Sequence, residues 1–220
     1  MSKTFAVILS GCGFMDGAEI RESVLSLLAL DTEGVEYKIF APNKDQHHVI
    51  DHLSGKESSD QRRNVLEESA RIARGEISDI KELKSKDFDA LIIPGGFGVA
   101  KNFCSFAFNG PAADVDESIL IVLKDFKEAS KPIGAICIAP ALVALTFGKS
   151  APNLTIGNDQ ATAEAIESLG AKHTNCPVTE CVVDKENKIV TTPAYMYGDA
   201  KVNEVYQGIH SAIRKVIELA

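Results

Sequence analysis

Cys137 lies in the run Pro132-Ile-Gly-Ala-Ile-Cys-Ile-Ala-Pro-Ala141, where a β-compatible apolar stretch (132–136) passes straight into a helix-compatible one (138–147). Ala135 and Ala139 sit two positions either side, giving the pattern small-x-Cys-x-small. A nucleophile elbow needs that pattern, because the nucleophile's backbone is strained and larger neighbours would collide across the tight turn. Such a turn lifts the sulfur above the sheet edge and aims the first helical N–H groups at it, which favours thiolate over thiol. The alternative is a buried structural cysteine, a common fate of this residue.

In a parallel sheet, ligands gather at the C-terminal strand ends. Reading those ends along the chain collects Gly11-Cys12-Gly13, Gly95-Gly96-Phe97-Gly98, Cys137 and Pro193-Ala194-Tyr195. The Gly95-Gly96 turn and the Ile138 amide are the candidate donors to an oxyanion. Cys12 is either a packing residue or a thiol able to resolve an oxidised Cys137. Tyr195 and Tyr197 either border a pocket or fill core. Glu19 opens a helix over the same rim, where an acid complements the helix dipole or serves the chemistry. Neither glycine run ends in the Gly-Lys-Ser/Thr of a phosphate loop, and the spacing of Gly11, Gly13 and Gly17 departs from the dinucleotide fingerprint.

The elements that must hold these residues alternate from end to end. Strands are expected at 5–9, 35–41, 90–93, 132–136, 154–157, 181–184 and 189–192, the last two joined by a turn at 185–188. Helices are expected at 19–30, with Ile20, Val24, Leu27 and Leu28 on one face, and at 62–74, with Val65, Leu66, Ala70 and Ile72 inward. Further helices fall at 119–129, 138–145, 162–169 and 202–219. Strands apolar throughout and separated by helices mean a mostly parallel sheet covered on both faces. One domain over 1–220 is expected, interrupted by insertions near 43–61 and 103–116. Long loops of this kind serve as lids or partner surfaces, and Phe103, Phe106 and Phe108 read as a mixture of lid and dimer contacts, with core as the alternative.

Bulk composition narrows the class. With 31 acidic and 23 basic residues the formal charge is −8, unlike nucleic-acid binders, which cluster Lys and Arg. The apolar run at 5–9 is too short for a signal-peptide core, and no run approaches membrane-spanning length; a cytoplasmic protein with neither a nucleic-acid nor a membrane partner is expected. Five cysteines (Cys12, Cys104, Cys137, Cys176, Cys181) lack zinc-type spacing, so reduced thiols and no metal are expected.

The elbow, the Gly-Gly-Phe-Gly loop and Asp16-Gly17-Ala18-Glu19 resemble the ThiJ/PfpI-like, class I glutamine-amidotransferase-like superfamily. The runs Gly11-Cys-Gly-Phe-Met-Asp-Gly-Ala-Glu-Ile20, Pro94-Gly-Gly-Phe-Gly-Val-Ala-Lys-Asn102 and Lys188-Ile-Val-Thr-Thr-Pro-Ala-Tyr-Met196 are similar, more narrowly, to the ElbB-type proteins, linked by name to isoprenoid biosynthesis and described as glyoxalases. The resemblance implies a flavodoxin-like three-layer α/β sandwich, a homodimer, a nucleophile at Cys137 and an acid beside it at Glu19. It also implies a cofactor-independent conversion of a small aldehyde, glyoxal or a related 2-oxoaldehyde, to its hydroxy acid through a cysteine hemithioacetal. Many relatives place a histidine directly after the cysteine. Here that position is Ile138, so a glutaminase triad is not expected; His52 and His173 are the histidines that could approach from elsewhere. A thiol-based stress-response protein or an inactive scaffold of the same fold are the alternatives.

Two anions in contact repel, so a Glu touching a thiolate should keep its proton, raising the carboxyl pKa and lowering that of the thiol. The gain is limited. A thiol of pKa about 8.5 is already a few per cent ionised near neutrality, so full ionisation adds only about 30-fold, roughly 2 kcal/mol. Orientation and N–H groups at the oxyanion must supply the rest.

Overall fold

A computed structural model describes residues 3–220. Its strands are β1 (Thr4–Ile8), β2 (Glu36–Ala41), β3 (Ile50–Asp51), β4 (Lys56–Glu57), β5 (Ser78–Asp79) and β6 (Ala90–Ile93). β7 (Ile133–Ile136), β8 (Asn153–Leu154), β9 (Lys172–His173), β10 (Val182–Asp184) and β11 (Ile189–Thr192) follow. Seven of these form one sheet in the order β10-β11-β7-β6-β1-β2-β5. Every pairing in it is parallel except β10–β11, the expected hairpin.

The helices are α1 (Ile20–Thr32), α2 (Val65–Ile72), α3 (Phe106–Asn109), α4 (Glu117–Glu128), α5 (Ala139–Phe147), α6 (Gln160–Ser168) and α7 (Val202–Leu219). They cover both faces, giving the expected three-layer α/β sandwich. One buried cluster packs Leu91, Ile93 and Ile133 against Leu123 and Phe126 of α4 and Leu142 of α5. The other packs Phe5, Val7 and Ile92 against Leu30 of α1 and Val205, Ile209 and Ile213 of α7. The central strands β1, β6, β7 and β11 are buried along almost all their length, which is why none alternates: β6 and β7 are apolar throughout, and Thr4, Thr191 and Thr192 are the only polar residues in the other two.

α1 turns its apolar stripe away from the sheet. Ile20, Val24 and Leu28 do share a face, but that face is 46–49% exposed. Glu22, Ser23, Ser26, Ala29 and Leu30 point inward instead. Ser23 and Ser26 donate their hydroxyls to the carbonyls of Glu19 and Glu22, one turn back, so their burial leaves no donor unpaired. α2 likewise buries Glu68 and Ser69 beside Val65, while Leu66, Ala70 and Ile72 are only partly covered.

The two insertions are ordered by the core. In the first, the β3–β4 hairpin lies over the loop after β1: the Ile50 N–H donates to the buried Asp16 carboxylate (2.7 Å). In the second, Phe103 is fully buried core, not the lid or dimer contact expected. Phe108 lies tilted against His47 and edge-on to His48, and Phe106 lines a cavity. Among the described residues no helix is long and apolar enough to cross a membrane.

Candidate active site

Cys137 occupies the left-handed backbone region, φ 61°, immediately after β7 and two residues before α5. L residues avoid this region, and a non-glycine held there marks stored strain. The strain is held from both sides. The Cys137 N–H donates to the Thr192 carbonyl on neighbouring β11 (2.9 Å), and the first turns of α5, Ala139 to Ala144, are buried in the core. This is the elbow expected from the small-x-Cys-x-small run.

Gly95 is required by proximity. A Cβ there would stand 2.4 Å from the Cys137 Cβ and 2.6 Å from a Glu22 carboxylate oxygen. Gly96 is required twice over: its φ is 97°, and a Cβ would fall 2.3 Å from the Glu19 N. The glycine loop can therefore lie directly against the cysteine turn, and its backbone becomes part of the site. The N–H groups of Gly96 and Ile138 face the Cys137 sulfur and favour its anionic form. Both were expected as donors. The Gly95 N–H was expected too, but it is committed to Glu22 Oε2 (2.9 Å).

The carboxyl beside the sulfur belongs to Glu22 and not to Glu19. Glu22 is completely buried, hydrogen-bonded to Cys137, and its Oε1 also accepts the Tyr195 N–H (3.1 Å). Glu19 caps α1 instead, its Oε2 accepting the Glu22 N–H at 2.6 Å, though it still lines the same pocket. The two lie three residues apart, so one helical turn separates the cap from the inward face. Sequence reasoning stopped at Glu19 because a buried carboxylate in mid-helix is costly unless paired. The available signal was the polar set Glu22, Ser23 and Ser26 opposite an apolar stripe, which can be read with either side inward.

Burial pushes the Glu22 carboxyl up to about 8, with the Glu19 charge adding to the rise and the N–H groups of Tyr195 and Gly95 opposing it. Near neutrality Glu22 is therefore protonated, as expected of an acid touching this sulfur. The thiol behaves otherwise. A lowered pKa was expected, but desolvation, then the Glu22 charge, raise Cys137 well above the ordinary range, outweighing the Gly96 and Ile138 amides. The resting pair is thiol and carboxylic acid, and it gives up its protons as a unit.

A cavity of about 480 Å³ opens onto the sulfur. Phe14, Phe97, Phe106, Ile138 and Met196 give it apolar walls, while Glu19, Asp159 and Thr162 stand at polar positions. Tyr195 lines it as expected, and its hydroxyl accepts a hydrogen bond from Arg21 (3.3 Å). Phe14 is a half-exposed wall held edge-on by His52. A larger groove of about 810 Å³ beside β2 and α2 holds no cysteine or histidine.

Other expected residues lie elsewhere. Cys12 does not line the cavity; its thiol sits near Glu68, Arg71, Asp16 and Arg63, and burial raises its pKa. His52 accepts the Met15 N–H (3.3 Å) and stands 3.8 Å from Asp16. His173 accepts the Ile156 N–H (3.3 Å). Neither lines the cavity. Asn102 braces the scaffold, donating to the Ser10 and Asp16 carbonyls, and Tyr197 donates its hydroxyl to the Cys176 carbonyl. No cluster of three His, Cys, Asp or Glu side chains suited to a metal occurs among the described residues.

Comparison with known proteins places this geometry in a lineage. The human glutamine amidotransferase-like class 1 domain-containing protein 3, mitochondrial, is 47% identical over 97% of this chain and 82% of its own length. The rat ES1 protein homolog, mitochondrial, is 46% identical over 97% and 83%. These names overturn the expectation of a cytoplasmic location, which rested on composition and a short N-terminal run alone. The crystal structure of an isoprenoid biosynthesis protein with amidotransferase-like domain from Ehrlichia chaffeensis superposes with a TM-score of 0.92 at 42% identity, covering 99% of each chain. The DJ-1/PfpI family model matches residues 16–197, which takes in Glu22, the glycine loop, the elbow cysteine and Tyr195. With that match and relatives similar along nearly its whole length, the chain belongs to the DJ-1/PfpI family.

Proposed function

We propose that the chain is a cofactor-independent glyoxalase of the ElbB type, converting a 2-oxoaldehyde to its hydroxy acid at Cys137. The observation that carries this reading is the strained Cys137 thiol hydrogen-bonded to a buried, protonated Glu22 at the floor of a cavity. An acid kept neutral in an apolar site can donate a proton to an oxygen that becomes negative during reaction.

The steps balance without an outside oxidant. Once Glu22, the more acidic of the pair, has lost its proton, it takes the thiol proton as the sulfur attacks the aldehyde carbon, forming a C–S bond and placing negative charge on the carbonyl oxygen. The Gly96 and Ile138 N–H groups lie beside that centre, and Glu22 supplies the proton that completes the hemithioacetal. A base then removes the hydrogen on the sulfur-bearing carbon and returns a proton to the adjacent carbonyl carbon. Glu19 suits this role: it lines the cavity, and only its Oε2 is committed to capping. The first carbon is thereby oxidised to a thioester and the second reduced to an alcohol. Water cleaves the thioester, releasing the hydroxy acid and the thiol.

Glutamine hydrolysis is less well supported, since Ile138 follows the nucleophile and no histidine is among the cavity residues. The redox alternative is less well supported, since Cys12 is not among the residues that line the cavity beside Cys137. Glycolate formation from glyoxal by Cys137→Ser decides the matter: turnover falling to background supports the reading, and undiminished turnover ends it.

We also propose that a second copy covers the outward face of α1. Ile20, Val24 and Leu28 form an i, i+4, i+8 ridge of the kind that packs helix on helix. An antiparallel pairing centred at the level of Ser26 brings exposed Arg21 of one copy towards exposed Asp31 of the other. Sedimentation of Val24→Asp tests it. A monomer is expected, and an unchanged mass rules out this face.

A further inference from the structure

The cavity beside Cys137 is far larger than glyoxal, a pair of bonded formyl groups, requires. At about 480 Å³ it falls within the range of sites that enclose drug-sized ligands. Its lining comes from segments that the elbow does not need. Phe14 precedes α1, Phe97 lies inside the Gly-Gly-Phe-Gly loop and Ala100 just after it, Phe106 and Ala107 begin α3, and Met196 follows β11. Each presents carbon to the space above the sulfur.

The charge around this space has one sign. Glu19 and Asp159 both line it, and each already caps a helix, α1 and α6 respectively. No Lys, Arg or His is among the lining residues. The nearest cations are engaged elsewhere: Lys101 donates to the Met15 carbonyl and rides over the outer ring of Phe97, while Arg21 is bonded to the Tyr195 hydroxyl. A carboxylate or phosphate on the substrate would meet two carboxyl groups in the lining, while the neighbouring Lys101 and Arg21 are already engaged by the Met15 carbonyl and by Tyr195. An apolar group would replace water along three aromatic rings.

We infer that the substrate is a neutral 2-oxoaldehyde carrying a bulky apolar arm, with its aldehyde carbon at Cys137 and its arm against Phe14, Phe97 and Phe106. The inference rests on carbonyl chemistry at Cys137 and adds the class of substituent. Its basis is the pairing of an oversized carbon-lined cavity with a lining whose charged groups are both acidic.

The test compares kcat/KM for glyoxal, phenylglyoxal and para-carboxyphenylglyoxal in the full chain, with Cys137→Ala as the background for each. An increase of at least about tenfold from glyoxal to phenylglyoxal is expected, since one apolar carbon in a fitted pocket already discriminates by that much. The carboxylate should cancel the increase. Two variants report on the arm from opposite directions. Ala107→Phe fills the space and Phe106→Ala removes a wall; both should lower the phenylglyoxal-to-glyoxal ratio several-fold. Equal values for the three compounds, or preference for the carboxylate, with turnover still dependent on Cys137, overturns the inference and leaves the carbonyl reading standing. Absence of Cys137-dependent turnover on all three sinks both.

Discussion

α1 and α7 pack side by side on one face of the sheet and use their inner surfaces in opposite ways. α7 buries Val205, Ile209, Ala212, Ile213 and Val216; it is an amphipathic helix whose pattern and burial agree. α1 buries Glu22, Ser23 and Ser26 and turns Ile20, Val24 and Leu28 outward. One helix holds the sheet together. The other delivers a carboxylic acid to the sulfur and presents an apolar ridge to its surroundings. A helix whose polar stripe faces inward gives up packing to build a site, and hydrogen bonds from Gly95 and Tyr195 make that tolerable.

The contrast can be broken first on the packing side. Ile209→Ala should lower unfolding free energy by about 2–5 kcal/mol, measured by urea denaturation, because the closely packed interior cannot collapse around the lost atoms. The same assay on Leu28→Ala should show less than about 0.5 kcal/mol in the dissociated monomer. If the two losses are similar, the assignment of inner and outer faces is wrong.

Glu22 supplies the sharpest test of the buried acid. Its folded pKa of about 8 lies above the ordinary 4.5, so the folded state holds this proton more tightly than the unfolded chain does. The stability it contributes is complete below pH 4.5 and declines as pH rises towards 8. The decline approaches about 1.4 kcal/mol per pH unit within that window. Thermal melts of wild type and Glu22→Gln should therefore diverge in slope across pH 5–8, and parallel curves would remove the proton from Glu22. Alkylation of Cys137 by iodoacetamide should also accelerate as pH passes about 8, where the pair first loses a proton, and that step should vanish in Glu22→Gln.

Smaller effects separate the two acids. Glu19→Ala should cost about 1 kcal/mol of stability through the lost cap. It should reduce kcat by about 100-fold if Glu19 carries the carbon proton. Glu19→Gln, which keeps an acceptor for the Glu22 N–H, should retain the stability and still lose the rate. A Gln variant with full activity would assign the proton transfer elsewhere.

Much of this molecule was legible beforehand. The sheet strands at 90–93 and 133–136 could be read because they are buried on both faces and carry no polar side chain, and 189–192 because its β-branched residues follow a turn at 185–188. α7 could be read because its apolar period matches its burial, and the elbow because only small residues fit beside Cys137. α1 could not be oriented, since an apolar stripe facing a polar one looks the same with either side inward. Glu22 went unseen for that reason. Phe103 was misplaced because its neighbours in the chain are loop-like, and its depth follows from packing against α4 and α5.

By itself the sequence determined the alternation of strands and helices, the position of the strained cysteine and the glycines that admit a second loop beside it. Those are local properties, dictated by side-chain size, backbone freedom and apolar period. Tertiary structure alone decided which of two glutamates reaches the sulfur, which N–H groups remain to face it, and that burial raises the thiol pKa. Each of these depends on distances between segments remote in the chain, and on how far the assembled core excludes water from the groups they bring together.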